Sequence, residues 1–272
     1  NRSLVDDVSS FCYAETLARV NAIAAGLAAS GIRQGDRVAM LAHNCIAYIE
    51  LHLAAAKLGA IVACQNWRLP PQECRQCIDL VAPSLLLYSS RFSDAAVDIA
   101  QQSALEALCL ESVVADWTST RSVPPSPVAQ DPELGLLILY TSGTTGPAKA
   151  ALISQRALIA RMMLLQTDLK IDRGDGFVAW SPMFHMGGSE HSISTLMMGG
   201  TVFVVDGFDP QRIAALIAEE QLGWLLLVPA TIDRLLEALD AQGVVARGIR
   251  CVGAMADLLP KKQLAAITAR LL

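Results

Sequence analysis

LLILYTSGTTGPAK, residues 136–149, joins an apolar run to a loop built almost entirely of small hydrogen-bond donors. The apolar run at 136–140 is short and bounded by turn residues, which predicts a buried strand. The next six residues carry four hydroxyl groups and two glycines, and Lys149 adds a positive charge. Glycine lets backbone N–H groups approach a ligand closely, and hydroxyl groups add donors that can rotate. The stretch therefore predicts a loop that binds an anion with many oxygens, most commonly a polyphosphate.

A P-loop is the obvious alternative for such a segment, and the residues disfavour it. Counting from Gly143, the second glycine of a P-loop is replaced by Ala148, and the hydroxyl residue after the lysine is replaced by Ala150. A P-loop also runs directly into a helix. Here residues 150–153 are apolar again, and Ser154 is the predicted helix cap. We therefore predict a strand, a phosphate-binding loop and a second strand.

The segment YTSGTTGPAK resembles the signature loop of the adenylate-forming superfamily, which includes acyl- and aryl-CoA synthetases, firefly luciferase and the adenylation domains of peptide synthetases. This chain departs from the family pattern at Pro147, Ala148 and Ala150, where the family has any residue, proline and glycine. The resemblance implies a loop that binds the phosphates of ATP, with Lys149 as a catalytic cation. The implied phosphate-binding residues are Thr141, Ser142, Gly143, Thr144, Thr145, Gly146 and Lys149.

A second informative stretch is SPMFHMGGSEHS, residues 181–192, which follows a predicted strand. Ligands of open α/β sheets bind at the ends of strands in this way. The stretch is similar to the family's Pro-x-Phe-His-x-x-Gly segment, which borders the pocket for the carboxylic acid. The resemblance implies that His185 lies between the carboxylate and the channel for the thiol acceptor, as a base or as a steric gate. For His191, pocket lining and core packing remain equal alternatives.

Two later segments also look like the family's acid pocket. WLLLVPAT, residues 224–231, is similar to the turn that leads into a helix beside the pocket, and IRCVGA, residues 249–254, resembles the strand of the pocket floor. The glycines at 187, 188 and 253 are expected to leave room for an aryl or medium-chain acyl group, while Val252 replaces a family glycine and narrows the floor. The implied pocket residues are His185, Gly187, Gly188, Ser189, Val228, Thr231, Gly253 and Ala254.

Apolar periodicity predicts an α/β fold with layered helices on largely parallel sheets. Helices are expected at 13–29 and 46–58, alternating with short buried strands. Asp209 and Pro210 are expected to be the cap and the first-turn residue of a helix that runs to Gln221. Residues 116–132 lose all periodicity and are interpreted as a surface linker, which is a candidate subdivision of the chain. Asn66 and Arg68 are assigned a structural role in a turn.

Composition limits the classes of function. The chain has 272 residues, 53% of them hydrophobic, and a net charge of −5, which suits a large core and argues against a nucleic-acid surface. The longest apolar stretch, residues 46–64, is interrupted by Glu50, His52 and Lys57, so no membrane span is expected. Seven cysteines without a disulfide or zinc pattern suit reduced core thiols and a cytoplasmic protein. The sequence is compatible with a homodimer.

Three family elements have no counterpart in these residues: an aromatic-Gly-x-Thr-Glu stretch for adenine and magnesium, a Thr-Gly-Asp for ribose, and a small C-terminal lid domain with its catalytic lysine. We therefore expect residues 1–272 to be an incomplete N-terminal domain that binds acid and ATP, and we expect it to be inactive alone.

The function implied by the resemblance is that of an ATP-dependent carboxylate–CoA ligase using ATP, Mg²⁺ and coenzyme A. The carboxylate attacks the α-phosphorus and expels pyrophosphate, and the thiol then displaces AMP. A peptide-synthetase adenylation domain is disfavoured because it would need an acidic anchor for an amino group, and Asp233 is the nearest acid after the Val-Pro turn. Luciferase-like oxidation is neither supported nor excluded. A non-catalytic binding module of the same family is the alternative from another class.

Overall fold

A computed structural model describes residues 1–119, 131–141, 148–254 and 259–272. Within these ranges the chain forms two six-stranded sheets with helices packed against them. The strands are β1 (Arg2–Val5), β2 (Ser10–Cys12), β3 (Arg37–Leu41), β4 (Ile61–Cys64), β5 (Leu85–Tyr88), β6 (Ala107–Cys109), β7 (Gly135–Thr141), β8 (Lys149–Ser154), β9 (Gly176–Ala179), β10 (Val202–Val204), β11 (Leu222–Leu226) and β12 (Ile249–Gly253). The α-helices are α1 (Tyr13–Ala29), α2 (Ile46–Leu58), α3 (Pro71–Val81), α4 (Ser93–Gln102), α5 (Leu110–Ser119), α6 (Gln155–Asp168), α7 (Met186–Met197), α8 (Pro210–Glu219), α9 (Pro229–Ala241) and α10 (Lys261–Leu271).

The first sheet, called sheet 1, has the order β6-β5-β3-β4-β7-β8. Its strands are parallel except β8, which pairs antiparallel with β7 at the edge. Strands β3, β4 and β5 are almost wholly buried and consist of apolar residues without alternation, as expected for parallel strands covered on both faces. The predicted largely parallel architecture is confirmed.

The second sheet, sheet 2, has the order β12-β11-β9-β10-β1-β2, with β2 antiparallel at its edge. From β9 the chain crosses to β10 on one side and then to β11 on the other side. The order of strands therefore reverses at β9 and β11. Such a reversal opens a crevice at the carboxyl ends of the strands, which is where open α/β sheets bind ligands.

The two sheets share one core. Helix α1 contacts β1 and α2, helix α2 contacts β4, β7 and α7, and helix α7 contacts β9 and β10. A single buried cluster accordingly runs from one sheet to the other and includes Leu4, Val62, Leu137 and Phe177. The helices between the sheets hold the carboxyl ends of β4 and β9 in a fixed relation, which matters for the site described below.

Several local predictions are confirmed by the helix ends. The Ser154 hydroxyl accepts a hydrogen bond from the backbone N–H of Ala157 and caps α6. Asp209 caps α8 by accepting from the N–H groups of Gln211 and Arg212. The helices predicted at 13–29 and 46–58 have these bounds in the structure.

Other features were not predicted correctly. Residues 116–119, interpreted as the start of a linker, form the last turn of α5, while residues 120–130 lie outside the described residues. The hairpin of β1 and β2 was not predicted at all. In the described ranges, no helix combines the length and the apolar character needed to cross a bilayer.

Candidate functional site

His185 lies at the carboxyl edge of sheet 2, where the chain leaves β9 and begins α7. It is the N-cap residue of α7, with extended backbone angles. Its ring lies 4.6 Å from the ring of the preceding Phe184, between ring centroids. The side chain is exposed, but desolvation by the surrounding protein lowers the pKa of His185, and the nearby Arg68 guanidinium lowers it further. The imidazole is therefore neutral at pH 7 and can donate from one nitrogen and accept at the other.

Arg68 reaches this position from the other sheet. It lies in the turn after β4, and its guanidinium carbon is 5.0 Å from the centroid of the Trp67 ring and 5.8 Å from that of Phe184. Trp67 itself meets Phe184 edge to face at 6.0 Å. From the sequence, Asn66 and Arg68 were both expected to have a structural role in the turn. The side-chain oxygen of Asn66 accepts a hydrogen bond from the backbone N–H of Arg68 at 3.0 Å, which is such a role. Arg68 in addition places a positive charge near His185.

Asn44 joins the same two edges through hydrogen bonds. It follows β3 of sheet 1 and is buried. Its side-chain nitrogen donates to the carbonyl of Ser181 at 2.8 Å and also contacts the carbonyls of Ala179 and Val205. Its side-chain oxygen accepts from the Met183 N–H at 3.0 Å. The side-chain amide of Asn44 therefore holds in place the segment that precedes His185.

The predicted phosphate loop begins at the carboxyl end of β7 in sheet 1. Thr141 and Lys149 pair across β7 and β8, so both ends of the connecting segment lie together, and both residues are exposed. Ser142, Gly143, Thr144, Thr145 and Gly146 lie outside the described residues. Just before Thr141, the hydroxyl of Tyr140 accepts a hydrogen bond from the Gln65 side chain at 3.0 Å. The end of β7 is therefore tied to the segment that leads to Arg68.

Gly187, Gly188 and Ser189 form the first turn of α7. A Cβ on Gly188 would lie 2.5 Å from the carbonyl oxygen of Pro182, and one on Gly187 would lie 2.8 Å from a methyl carbon of Leu226. Ser189 is fully buried and donates to the carbonyl of Met183. The expectation that these glycines leave room for the acid is therefore corrected: protein atoms occupy that space.

Val228 and Thr231 lie at the start of α9, after β11. The Thr231 hydroxyl accepts from the Val228 N–H at 3.2 Å and is 2.7 Å from the Val228 carbonyl. Thr231 is buried and bonds back to Val228, the half-buried N-cap residue of α9. Their predicted role in lining the pocket remains a prediction.

Gly253 is the last residue of β12, beside β11, and Ala254 follows it. The ring of Trp224 lies directly against Gly253 on the face where a side chain would project. Gly253 therefore accommodates an indole of the protein, and the room expected there is also filled. Ala254 is half-buried at the carboxyl end of the strand. Trp224 was part of a quoted stretch but had not been assigned to the site.

His191 lies one helical turn after Gly187 and is buried. Its ring lies 4.7 Å from the Trp224 ring and 5.5 Å from that of Phe177. Burial, and secondarily Arg161, lower the pKa of His191 to about 4. Neither of its ring nitrogens has a hydrogen-bond partner among the residues that the structure describes. His191 is therefore packed in the core, and its two ring nitrogens are unpaired among the described residues.

The sequence missed Asn44, Arg68 and Trp224 as contributors to this site. A signal existed for the first two, since each follows the carboxyl end of a buried parallel strand. The sequence does not indicate which strand ends of one sheet lie against strand ends of the other. The site is formed where such ends come together. Across the part of the chain that the structure describes, no group of three His, Cys, Asp or Glu side chains could hold a metal ion.

Comparison with known proteins gives one family. The sequence profile described as AMP-binding enzyme matches residues 1–271. Relatives include indoleacetate–CoA ligase of Aromatoleum aromaticum, 31% identical over 92% of this chain and 51% of its own length. Feruloyl-CoA synthase of Amycolatopsis is 31% identical over 81% of this chain and 44% of its own length. The chain spans about half the length of the curated relatives it matches.

Solved structures share the fold. The inhibitor-bound N-terminal domain of FACL13 from Mycobacterium tuberculosis superposes with a TM-score of 0.89 at 24% identity, covering 98% of this chain and 69% of that one. ATP-bound MatB from Rhodopseudomonas palustris gives a TM-score of 0.84 at 23% identity, covering 100% of this chain and 55% of that one.

Proposed function

Because this chain belongs to the AMP-binding enzyme family, we propose that it supplies the acid-binding and phosphate-binding half of an ATP-dependent carboxylate–CoA ligase. The main support for this proposal is that residues following strands of both sheets lie together beside His185. Arg68, in the turn after β4 of sheet 1, lies against Phe184, which follows β9 of sheet 2. The TSGTTG segment starts at the end of β7, which is also a strand of sheet 1. An acid bound near His185 would therefore lie on the side of the molecule that carries the phosphate loop.

The residues suit the first chemical step, attack of a carboxylate on the α-phosphorus of ATP. The positive end of the α7 dipole and the Arg68 guanidinium together favour a carboxylate beside His185. Neutral His185 can donate a hydrogen bond to that carboxylate without adding charge. Phosphate oxygens would be held by Thr141, Ser142, Thr144, Thr145 and the amides of Gly143 and Gly146, with Lys149 offsetting the charge that develops as pyrophosphate leaves.

The second step is attack of the coenzyme A thiol on the acyl-adenylate, with release of AMP. His185, exposed at the rim, is the residue we assign to the boundary between the acid and the incoming thiol. ATP–Mg²⁺ is the expected form of the nucleotide. The described residues offer no cluster of metal ligands, so no step is assigned to magnesium here.

Relatives support an aryl or fatty acyl carboxylic acid as the substrate, and we propose the aryl or medium-chain class. Two relatives are named for indoleacetate and ferulate, and another is named a medium/long-chain-fatty-acid ligase. Cytoplasmic location and a homodimer remain predictions from the sequence. Light scattering on the intact protein would test whether it forms a homodimer.

The test is acid-dependent exchange of labelled pyrophosphate into ATP, measured on the intact protein with a panel of aryl, medium-chain and long-chain acids. Exchange with one acid class, followed by AMP release that requires coenzyme A, is expected. Exchange without coenzyme A-dependent release of AMP would indicate another acceptor. Binding of ATP or acid with no exchange for any acid would instead indicate a non-catalytic binding module.

A further inference from the structure

The hydrogen bond between Gln65 and Tyr140 extends the pairing of two strands of sheet 1 by one rung. Strands β4 and β7 are parallel neighbours, and their backbone register ends with Ala63 opposite Ile138. Gln65 and Tyr140 each lie two residues further along, so their side chains stand opposite each other on the same face of the sheet. The Gln65 side-chain nitrogen donates to the Tyr140 hydroxyl at 3.0 Å. A side-chain bond therefore takes over where backbone pairing between these strands stops.

Gln65 is itself firmly held in the sheet. It is fully buried, and its backbone N–H donates to the carbonyl of Met40 in β3 at 2.9 Å. Its side-chain nitrogen also donates to the carbonyl of Ala63 at 3.0 Å. Because the backbone and the side chain are both bonded to the interior strands of sheet 1, the amide is a fixed point to which Tyr140 is attached.

The Tyr140 hydroxyl lies in largely apolar surroundings. Its side chain packs against a small buried cluster formed by Ile61, Ala63 and Ile138. Burial raises the pKa of Tyr140 well above its ordinary value, and the hydrogen bond from Gln65 opposes this only in part. The hydroxyl is therefore neutral, and the bond to Gln65 is stronger than the same bond would be in water.

Packing alone does not account for an amide at position 65. The side-chain oxygen of Gln65 is buried and has no hydrogen-bond partner in the ranges that the structure describes. Leucine or methionine would fill a similar space without an unpaired polar atom, whose burial is costly. This cost is offset by the bonds that the amide nitrogen makes, and one of them is to Tyr140.

Both residues adjoin groups that the proposed reaction uses. Tyr140 directly precedes Thr141, which pairs with Lys149 across β7 and β8. Gln65 comes three residues before Arg68. On its other side β7 has only the edge strand β8, which carries Lys149. Beyond the last backbone pair, the Gln65 bond therefore ties the end of β7 to the interior of sheet 1.

We propose that Gln65 and Tyr140 are positioning residues that hold Thr141 and Lys149 in place for the phosphates of ATP. This inference rests on the proposed function, because it requires Thr141 and Lys149 to bind phosphate. A displacement of about 1 Å in a binding group can lower the rate of a reaction by about 100-fold. The loss should fall on ATP and spare the acid, because the acid's carboxylate is assigned to His185, which follows β9 of sheet 2.

The experiment measures pyrophosphate exchange by the intact protein while ATP–Mg²⁺ and the acid are varied in turn. Tyr140→Phe keeps the ring and removes the hydroxyl, and Gln65→Met keeps the length of the side chain and removes the amide. Each variant is expected to raise KM for ATP roughly tenfold, while KM for the acid changes by less than about twofold. A residue that only stabilises the fold would lower the amount of active protein and leave both KM values unchanged.

Tyr88→Phe is the matched control. Tyr88 is also a half-buried tyrosine near the carboxyl end of a strand of sheet 1, but its strand β5 is separated from β7 by β3 and β4. This variant is expected to keep the wild-type KM for ATP. The double variant Gln65→Met/Tyr140→Phe is expected to match either single variant within about twofold, because each single change already removes the bond.

Thermal unfolding identifies a variant that fails to fold, in which case the other single variant is decisive. An unchanged KM for ATP in a folded variant, a rise of similar size in Tyr88→Phe, or additive effects in the double variant would overturn the inference and leave the proposed function standing. Failure of every acid in the panel to support exchange by the wild-type protein would overturn both.

Discussion

The side-chain oxygen of Asn44 accepts a hydrogen bond from the backbone N–H of Met183 at 3.0 Å, and this bond joins the end of a strand in sheet 1 to the loop that carries His185. Asn44 is buried and its nitrogen donates to carbonyls of the same loop. The position of His185 therefore depends on a residue 141 positions earlier in the chain.

Replacement of Asn44 by alanine is expected to lower the free energy of unfolding by about 1–3 kcal/mol, because it leaves buried backbone groups unpaired. Urea denaturation measures this loss. Asn21→Ala is the control, since the Asn21 side-chain oxygen has no partner in the described structure. A loss for Asn21→Ala as large as that for Asn44→Ala would contradict the assigned role.

The two neighbouring glycines of α7 should differ in their tolerance of a methyl group. Gly188→Ala places Cβ against the Pro182 carbonyl, which cannot move without shifting the loop, and we expect a loss of about 1–3 kcal/mol. Gly187→Ala meets a methyl of Leu226, which can rotate aside, and gains about 1 kcal/mol of helix propensity. Unfolding free energies of the two variants should therefore differ clearly, and equal values would count against the close packing described.

Glu50 was seen in the sequence only as an interruption of an apolar run. In the structure it is 0% exposed and binds the Arg19 guanidinium through two hydrogen bonds of 2.5 and 2.9 Å. Arg19→Met should lower the free energy of unfolding by about 3–5 kcal/mol, because a buried carboxylate is left unpaired. The double variant Arg19→Met/Glu50→Leu should recover most of this loss. A double variant as unstable as the single one would show that packing, and not the unpaired charge, causes the loss.

Buried histidines should make the protein less stable in mild acid. Burial lowers the pKa of His52 to about 3, whereas an unfolded histidine titrates near 6.5. Below pH 6.5 the unfolded chain binds a proton that the folded chain refuses, so stability falls as the pH drops from 6.5 towards 3. Between pH 7 and pH 5, His52 should account for about 2 kcal/mol of the decrease.

Urea denaturation of wild type and His52→Gln at both pH values measures this difference. The variant should lose about 2 kcal/mol less than wild type between pH 7 and pH 5. The same drop in both proteins would mean that His52 becomes protonated in the folded state.

Much of the fold could be predicted because its signals are local. Helix α2 and the cap at Ser154 follow from apolar spacing and one hydroxyl. Strand β1 could not be found, because Arg2–Val5 is four residues long and pairs with β10 about 200 positions away. The end of α5 was taken for a linker because its exposed residues lack apolar periodicity.

The candidate site was predicted in part for the same reason. His185 follows a strand and could be recognised from its own segment, whereas Arg68 belongs to the site only because two sheets meet. The glycines at 187, 188 and 253 were wrongly expected to leave open space for the acid. A sequence shows that a side chain is missing at Gly253, but not that Trp224 fills the place.

The most direct test of the central claim is the effect of Lys149→Ala on pyrophosphate exchange and on thermal unfolding of the intact protein. Lys149 is exposed at the edge of sheet 1 and pairs with Thr141 at the base of the phosphate loop. The control is Lys262→Ala, an exposed lysine in the first turn of α10. We expect Lys149→Ala to lose exchange activity by roughly 100-fold or more, because the charge that stabilises the leaving pyrophosphate is missing. We expect the free energy of unfolding to change by no more than about 0.5 kcal/mol in both variants. Exchange at the wild-type rate in Lys149→Ala, or a loss of activity matched by an equal loss of stability, would contradict the assigned role of Lys149.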